Sequence, residues 1–144
     1  MALQGGPADL PKIRFGCPRG IGVNSDKGEK MEIVSKENAE HYVWGDVCDG
    51  WHLLKSSGLS VIQERVPPGG AEVKHYHEKA HQFFFVLSGE ATMEIKDQKF
   101  VVGPEQGIEI PSKVSHRLSN EGKQDLSVIV VSAPMSHGDR VIGS

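Results

Sequence analysis

Two histidines separated by a single residue, His75 and His77, constrain the fold of this chain more than any other feature. They lie between a Gly-Gly pair at 69–70 and an apolar run at 83–87. In a β-strand, residues i and i+2 point to the same face, so this spacing places both imidazoles on one side of a sheet. Two converging imidazole nitrogens can bind one metal ion. The spacing therefore predicts a β fold with a metal site.

Further residues downstream strengthen this prediction. Gln82 follows the histidine pair, and six residues separate it from Gly89. His116 lies in a second strand-like run, after Pro111 and before Asn120. A lone His-x-His arises readily by chance, whereas the whole combination indicates one site.

The first of these groups resembles the first motif of the cupin family. That motif has a Gly, five residues, His-x-His, a Glu a few residues on, and a Gly that follows the Glu after six more residues. Here five residues separate Gly69 from His75, and Gly89 closes the motif. Gln82 stands where the family usually has Glu.

The second group resembles the second cupin motif. Pro111, His116 and Asn120 fit its Pro, His and Asn positions, while Lys113 replaces its Gly. The Gly that opens this motif, taken as Gly103, lies two residues further from the Pro than usual. We expect Asn120 to have a structural role in a turn.

The resemblance covers roughly residues 58–135 and implies an all-β fold, a single-domain jelly-roll-like barrel. It also implies one divalent metal ion, since neutral imidazoles suit iron, zinc, nickel or manganese. It does not name the reaction, because cupins carry many unrelated activities. The implied metal ligands are His75, His77, Gln82 and His116.

The fourth ligand leaves alternatives open. A coordinating Gln82 is neutral, so it leaves the double charge of the metal uncompensated and favours anionic ligands. If Gln82 does not coordinate, three imidazoles hold the metal and more positions stay open. A β-bulge could also exchange Gln82 for its neighbour His81, which would give a four-His site.

Short runs with β-forming residues recur from residue 59 onward, separated by Gly and Pro turns, and predict a sandwich or closed barrel. Residues 97–98 are expected to form a hairpin turn. The predicted strands are 60–66, 71–77, 82–87, 91–96, 99–102, 107–110, 115–119 and 126–132.

The N-terminal part has weaker signals. Residues 1–30 are rich in Gly, Pro, Lys and Asp and predict an irregular arm, so the barrel domain is assigned to residues 31–144. Within it, residues 31–34 are a candidate strand, and Ser35 could cap a short helix over 36–42. Residues 44–51 are predicted to be a loop.

The apolar run after the histidines has consequences for assembly. If Gln82 faces the interior, alternation places Phe84 and Val86 inside, and Phe83 and Phe85 outside. An exposed aromatic pair of this kind needs cover from the N-terminal arm or from a second subunit. Because cupins often dimerise through such faces, we expect a homodimer.

Composition argues against several classes of protein. The net charge of −3 contains no basic block, so no nucleic-acid partner is expected, and no apolar run reaches the length of a membrane span. Cys17 and Cys48 are too few for a disulfide framework and lack C-x-x-C spacing, which favours a cytoplasmic location. The expected partner is a small-molecule ligand or substrate.

We expect a metal-dependent enzyme acting on a small organic molecule, and the resemblance makes an oxygenase the nominal choice. The alternatives are a redox-neutral Lewis-acid isomerase, cyclase or lyase, a non-catalytic cupin that binds a sugar or carboxylate, and a barrel that has lost its metal. Glu64, Arg65 and Arg117 are candidates for an acid, a base or an anion clamp. Strand alternation alone does not say which of them points inward.

Overall fold

A computed structural model describes residues 31–143 of the chain. The predicted irregular arm, residues 1–30, lies outside the described part. Within residues 31–143 there are eleven β-strands and no helix. The strands are β1 (Glu40–Trp44), β2 (Cys48–Lys55), β3 (Ser60–Val66), β4 (His75–His77), β5 (His81–Ser88), β6 (Ala91–Ile95), β7 (Gln98–Val102), β8 (Gly107–Ile110), β9 (His116–Ser119), β10 (Leu126–Ala133) and β11 (Arg140–Ile142).

The strands form two antiparallel sheets. One has six strands in the order β1-β2-β3-β10-β5-β8, and the other has five in the order β11-β4-β9-β6-β7. The late strand β10 lies between β3 and β5, so strands that are distant in sequence pair within one sheet. This is a jelly-roll-like arrangement, and the predicted all-β class is confirmed.

Alternation along the strands places every second side chain in the interior. Strand β3 buries Ser60, Ile62, Glu64 and Val66. In the neighbouring strand β10, every second side chain is likewise buried. Most of these positions are apolar, and each fully buried Val or Leu stabilises the fold by about 1.5–3 kcal/mol. The core residues include Val66, Val86, Met93, Leu118, Leu126 and Val128, none of which is exposed to solvent.

The predicted strands agree closely with the structure where their pattern is strong. Predicted strands 60–66 and 107–110 match β3 and β8, and the hairpin of β6 and β7 forms as expected. Its turn lies one residue earlier than predicted, because Ile95 pairs with Gln98 and Lys96 takes a positive φ of 57°. In the predicted strand 71–77, only His75–His77 is a strand, with an isolated bridge at Ala71.

The predictions for residues 31–51 were wrong. Ser35 does begin a turn, because its backbone oxygen accepts N–H bonds from Asn38 and Ala39 at 3.1 and 2.9 Å. The chain then extends into β1 instead of continuing as a helix over 36–42, since β1 pairs along its length with β2. The predicted loop 44–51 is a tight turn followed by β2, and residues 31–34 form no strand.

Gly89 closes β5 in a conformation that other residues rarely adopt. Its φ is +82°, and a Cβ there would lie 2.9 Å from the Leu126 Cα. The first motif ends in Gly because the chain must turn next to the backbone that enters β10.

Candidate metal centre

Three imidazoles meet inside the barrel. His75 and His77 point to the same face of β4, and His75 lies directly opposite His116 of β9 in the sheet register. Ring centroids are 4.5 Å apart for His75 and His116, and 5.0 Å apart for His75 and His77. One nitrogen from each ring lies within 4.8 Å of the others. This arrangement can hold one metal ion.

Backbone carbonyls orient two of the rings. His75 Nδ1 donates to the Val73 oxygen at 2.7 Å, and His116 Nδ1 donates to the Val114 oxygen at 3.0 Å. A proton fixed on Nδ1 leaves Nε2 with a free lone pair, which is the tautomer that a metal ligand requires. His116 Nε2 is buried and has no hydrogen-bond partner in the described part of the chain.

Burial keeps these imidazoles neutral. It lowers the pKa of His75 and of His77 to about 4, and it also lowers the pKa of His116. Neighbouring positive charge acts in the same direction, including that of Arg140. Neutral imidazole is the form that donates a lone pair to a metal, so the pocket favours the ligand form over the protonated form.

Gln82 also faces the interior, and His81 does not. The Gln82 amide Nε2 donates to Ser132 Oγ at 3.0 Å, and its Oε1 is buried without a partner among the described residues. The His81 side chain is 57% exposed and its Nδ1 is 3.7 Å from Glu109 Oε2 on the outer side of the sheet. Strand β5 runs without the bulge that a four-His site would need at this end, so the structure does not place His81 in the cavity.

The side chains present fit a divalent metal ion. Neutral imidazole is a common ligand of iron, zinc and nickel in proteins, and manganese also accepts it. Two buried atoms, His116 Nε2 and Gln82 Oε1, lack hydrogen-bond partners within residues 31–143. Leaving such atoms unpaired costs free energy, and a metal ion would satisfy them.

A cavity of about 390 Å³ extends from the imidazoles along the barrel interior. Its volume is in the range of small-molecule sites. Phe84 forms one apolar wall, whereas Met93 belongs to the core and does not line the cavity. The polar and aromatic lining residues include Tyr42, Trp44, Glu64, Glu72, His137 and Arg140.

Glu64 is the buried acid of this cavity. Its Oε1 has no hydrogen-bond partner in residues 31–143. Burial raises the pKa of Glu64 well above its usual value, and the negative charge of Glu72 adds to the effect. Burial also raises the pKa of Glu72 to about 7, although its Oε1 accepts the Leu118 N–H at 3.0 Å.

Tyr42 reaches towards Glu64 across a glycine. In the sheet register, Gly50 lies between them, paired with Tyr42 on one side and with Glu64 on the other. A Cβ on Gly50 would lie 2.6 Å from the Tyr42 hydroxyl, so the ring occupies the space above the glycine. Burial, with a smaller contribution from Glu64, raises the pKa of the Tyr42 hydroxyl. Tyr42 and Glu64 therefore lie on one wall of the cavity, and burial favours the protonated form of both.

The other two candidate charges point outward. Arg65 Nε donates to Asp49 Oδ2 at 2.7 Å, and its Nη1 lies 3.3 Å from Asp125 Oδ2. Arg117 pairs with Glu94 at 3.6 Å, and neither arginine lines the cavity. Of the three candidates from the sequence, only Glu64 is placed to act in the cavity.

Sequence reasoning missed Arg140, Tyr42 and Glu72 as cavity residues. Arg140 belongs to a three-residue strand at the end of the chain, and Tyr42 lies in the segment predicted to be helical. Asn120 behaves as predicted: its Nδ2 donates to the Val66 and Gln124 oxygens at 2.8 and 2.7 Å, which ties the turn after β9.

Comparison with known protein families shows which family has this architecture. The sequence model of the family described as "Cupin domain" matches residues 62–132, a range that contains all four predicted ligands. The chain belongs to the cupin superfamily. Both motifs of the cupin resemblance lie in the matched range, and the departures at Gln82 and Lys113 lie inside it.

Relatives of this cupin are distant. It is 29% identical over 92 residues to an uncharacterized protein of Methanocaldococcus jannaschii, a match that covers 63% of this chain and 74% of the relative. Among solved structures, KdgF from Halomonas sp. superposes with a TM-score of 0.68 at 16% identity, covering 74% of this chain and 98% of that one. A sugar phosphate isomerase of the cupin superfamily from Silicibacter pomeroyi gives 0.65 at 17% identity, covering 71% and 75%. Identities this low show the shared fold.

None of the described residues of this cupin forms a helix with the length and hydrophobicity needed to span a bilayer.

Proposed function

We propose that this cupin is a metal-dependent enzyme that catalyses redox-neutral proton transfer, an isomerisation or an elimination, on a multi-carbon hydroxycarbonyl compound. One observation carries the proposal: His75 and His77 of the three-imidazole cluster line the same cavity as Glu64, whose buried carboxyl has an oxygen without a hydrogen-bond partner in residues 31–143. The first can hold a Lewis acid, and the second can move a proton. Redox-neutral chemistry needs these two elements and no electron acceptor.

His75, His77 and His116 would hold the metal, with the Gln82 oxygen as a fourth ligand. A divalent cation at this position supplies Lewis acidity, which polarises a carbonyl or hydroxyl oxygen of the substrate. Because none of these four side chains is a carboxylate, the proton transfers are left to other groups of the cavity.

Glu64 is the residue we assign to proton transfer. Burial raises its pKa and so favours the protonated carboxyl, whose O–H can donate to a substrate oxygen. The carboxylate that results can accept a proton from substrate carbon or oxygen, which returns the enzyme to its starting state. Tyr42, on the same wall, can donate a hydrogen bond to a neighbouring hydroxyl.

The spacing of these groups indicates the size of the substrate. Ser60, Ser132 and Gln82 lie in one row across the six-stranded sheet. Glu64 lies four residues along β3 from Ser60, which is about 13 Å at a rise of about 3.3 Å per residue. A substrate that contacts both ends of the cavity therefore has a chain of several carbons. One structural neighbour with the same fold is described as a sugar phosphate isomerase, which is consistent with this proposal.

Solvent-proton exchange tests the proposal. The metal-loaded protein would be incubated in D₂O, without oxygen, with a panel of hydroxy-aldehydes, hydroxy-ketones and their acids, and analysed by proton NMR. We expect deuterium incorporation next to a carbonyl, or loss of water, in one class of compound. Glu64→Gln should slow that reaction at least about 100-fold while metal content stays the same. Turnover that depends on oxygen uptake would contradict the proposal.

Oxygenation is the second candidate. Three neutral imidazoles without a carboxylate ligand are compatible with iron chemistry as well as with zinc, nickel or manganese. Bound iron together with substrate-dependent oxygen consumption would favour it. A ligand that binds tightly and is recovered unchanged, in air and under nitrogen, would favour a non-catalytic cupin.

A homodimer remains part of the proposal. Phe83 is 41% exposed and stacks on Phe85 with ring centroids 6.4 Å apart, on the outer face of the six-stranded sheet. A second copy of the chain would cover this aromatic pair. Light scattering over a range of concentrations should give a dimer, and Phe83→Ser should shift it towards monomer. We also propose a cytoplasmic location, where the free thiol of Cys48 stays reduced.

A further inference from the structure

Arg140 lies beside one of the predicted metal ligands. In the antiparallel pair of β11 and β4, Arg140 is directly opposite His77. Residues opposite each other in such a pair point to the same face, so the arginine side chain follows His77 towards the cavity. It lines the cavity there and remains exposed at the mouth. No other Lys or Arg of residues 31–143 lines this cavity.

Arg140 forms no ion pair with another residue of the described chain. The ion pairs found within residues 31–143 involve other cations, namely His41, Lys55, Arg65, His81, Lys99 and Arg117. Its chain neighbour Asp139 accepts the backbone N–H groups of Lys79 and Ala80 at 3.0 and 2.9 Å. The acid nearest in chain position is therefore engaged with the β4–β5 turn, and it anchors the segment that carries the arginine.

The two acids of the cavity form no direct ion pair with Arg140 either. Within residues 31–143, neither Glu64 nor Glu72 forms an ion pair with Arg140, although the positive charge of Arg140 partly offsets the rise in the pKa of Glu72 that burial causes. Glu72 uses its Oε1 to accept the Leu118 N–H instead. The mouth of the cavity therefore presents a guanidinium that no carboxylate of the described chain binds directly.

We infer that Arg140 binds an anionic group of the substrate, a carboxylate or a phosphate ester, at the mouth of the cavity beside His77. The inference deepens the proposed function and rests on it only in taking this cavity as the place where substrate binds. A guanidinium is suited to the role because its planar fork donates two parallel N–H bonds to either anion. The remainder of the substrate chain would extend inward, towards Tyr42 and Glu64.

The competing explanation is a surface arginine that only interacts with water. Exposed charges interact weakly and are screened by salt, so exposure alone decides nothing. What favours a binding role is position: the side chain shares a face with a predicted metal ligand, and it lies on a strand anchored by Asp139. The two explanations differ in one measurable quantity, the preference of the cavity for anions over neutral compounds of the same shape.

Three probes with the same polyol chain measure that preference: sorbitol, gluconate and sorbitol 6-phosphate. Binding to the full-length chain would be followed by calorimetry, and by the fluorescence of Trp44, which lines the cavity. The protein would first be stripped of metal, so that a bound cation does not itself attract the anions. We expect at least one anion to bind about tenfold more tightly than sorbitol, with an affinity that falls as salt is added.

Two variants then assign the preference to one side chain. Arg140→Gln should reduce anion binding to the level of sorbitol, and Arg140→Lys should restore part of it. Lys99→Gln removes a cation of the same sheet that pairs with Glu121 outside the cavity, so it should change nothing. Circular dichroism and thermal unfolding of each variant confirm the fold.

Each outcome has a defined meaning. Tighter gluconate binding identifies a carboxylate substrate, and tighter sorbitol 6-phosphate binding identifies a phosphate ester. Equal binding of all three probes, no measurable anion binding, or an unchanged preference in Arg140→Gln overturns the inference. Because the readout is binding, it is independent of Glu64→Gln: anion preference without turnover retains this inference and rejects only the proposed reaction.

Discussion

The side-chain amide of Gln82 donates to Ser132 Oγ at 3.0 Å, and this bond leaves the amide oxygen buried without a partner in the described chain. The two residues are also directly paired in the register of β5 and β10. Ser132 therefore fixes which end of the amide is free. An amide oxygen without a hydrogen-bond partner in residues 31–143 thus stands where the cupin motif usually has a carboxylate.

The first prediction concerns this oxygen. Gln82→Leu removes it with little change in volume, so the metal dissociation constant should rise at least about tenfold. Gln63→Leu is the matched control, because Gln63 makes the same kind of bond to Ser127 at 3.3 Å on the opposite face of the sheet. Competition with a chelator measures both constants. Equal metal affinity in Gln82→Leu and in the control would show that Gln82 is not a ligand.

The second prediction concerns pH. Burial lowers the pKa of His75 and His77 to about 4, so these rings take up protons only as the pH falls towards that value. Protons therefore compete weakly with the metal above about pH 5, and the metal dissociation constant should change little between about pH 7.5 and 5.5. It should then rise steeply at lower pH. Ordinary imidazoles, with a pKa of about 6.5, would already lose metal across the upper range.

The alternation of side chains made much of the site predictable. Once Gln82 is assigned to the interior, Phe84 and Val86 follow it inward and Phe83 faces out, as the structure has it. The two motifs also assign His75 and His116 to separate strands of one site, and the structure pairs those strands although the residues are far apart in sequence. Strong local patterns and Gly-bounded turns carry this information without knowledge of the sheet order.

The remaining features depend on pairing that local patterns do not reveal. The strand β1 has the burial pattern of an edge strand, with most side chains exposed, so it offered no apolar alternation. Ser35 and the residues after it favour a turn, and only pairing with β2 extends the chain. Arg140 enters the cavity because β11 pairs with β4, a contact between segments more than sixty residues apart.

The third prediction concerns Gly50. A Cβ at this position would overlap the Tyr42 ring, coming within 2.7 Å of its Cε1, so Gly50→Ala should push the ring out of its place beside Glu64. We expect at least about a tenfold loss of turnover with metal content unchanged. Gly58→Ala is the control, because nothing lies within 4 Å of a Cβ built there. Unchanged kinetics in Gly50→Ala would remove Tyr42 from the proposed mechanism.

The fourth prediction concerns the departure at Lys113. This residue has a positive φ of 67°, so the backbone keeps the conformation of the Gly that the cupin motif normally has. Its N–H donates to the His77 oxygen at 2.7 Å, which holds the turn in place. Lys113→Gly should therefore stabilise the fold by up to about 1 kcal/mol, since relief of strain exceeds the entropy gained by the unfolded chain. Urea unfolding measures the difference, and a destabilised variant would contradict it.

The metal content of the protein purified without chelators and without a His-tag column tests the central claim most directly. We predict one equivalent of iron, zinc, nickel or manganese per chain, lost in the double variant His75→Ala, His77→Ala and retained in His81→Ala, whose ring is on the outer side of the sheet. No bound metal and none taken up on reconstitution, or full metal content in the double variant, would contradict the account.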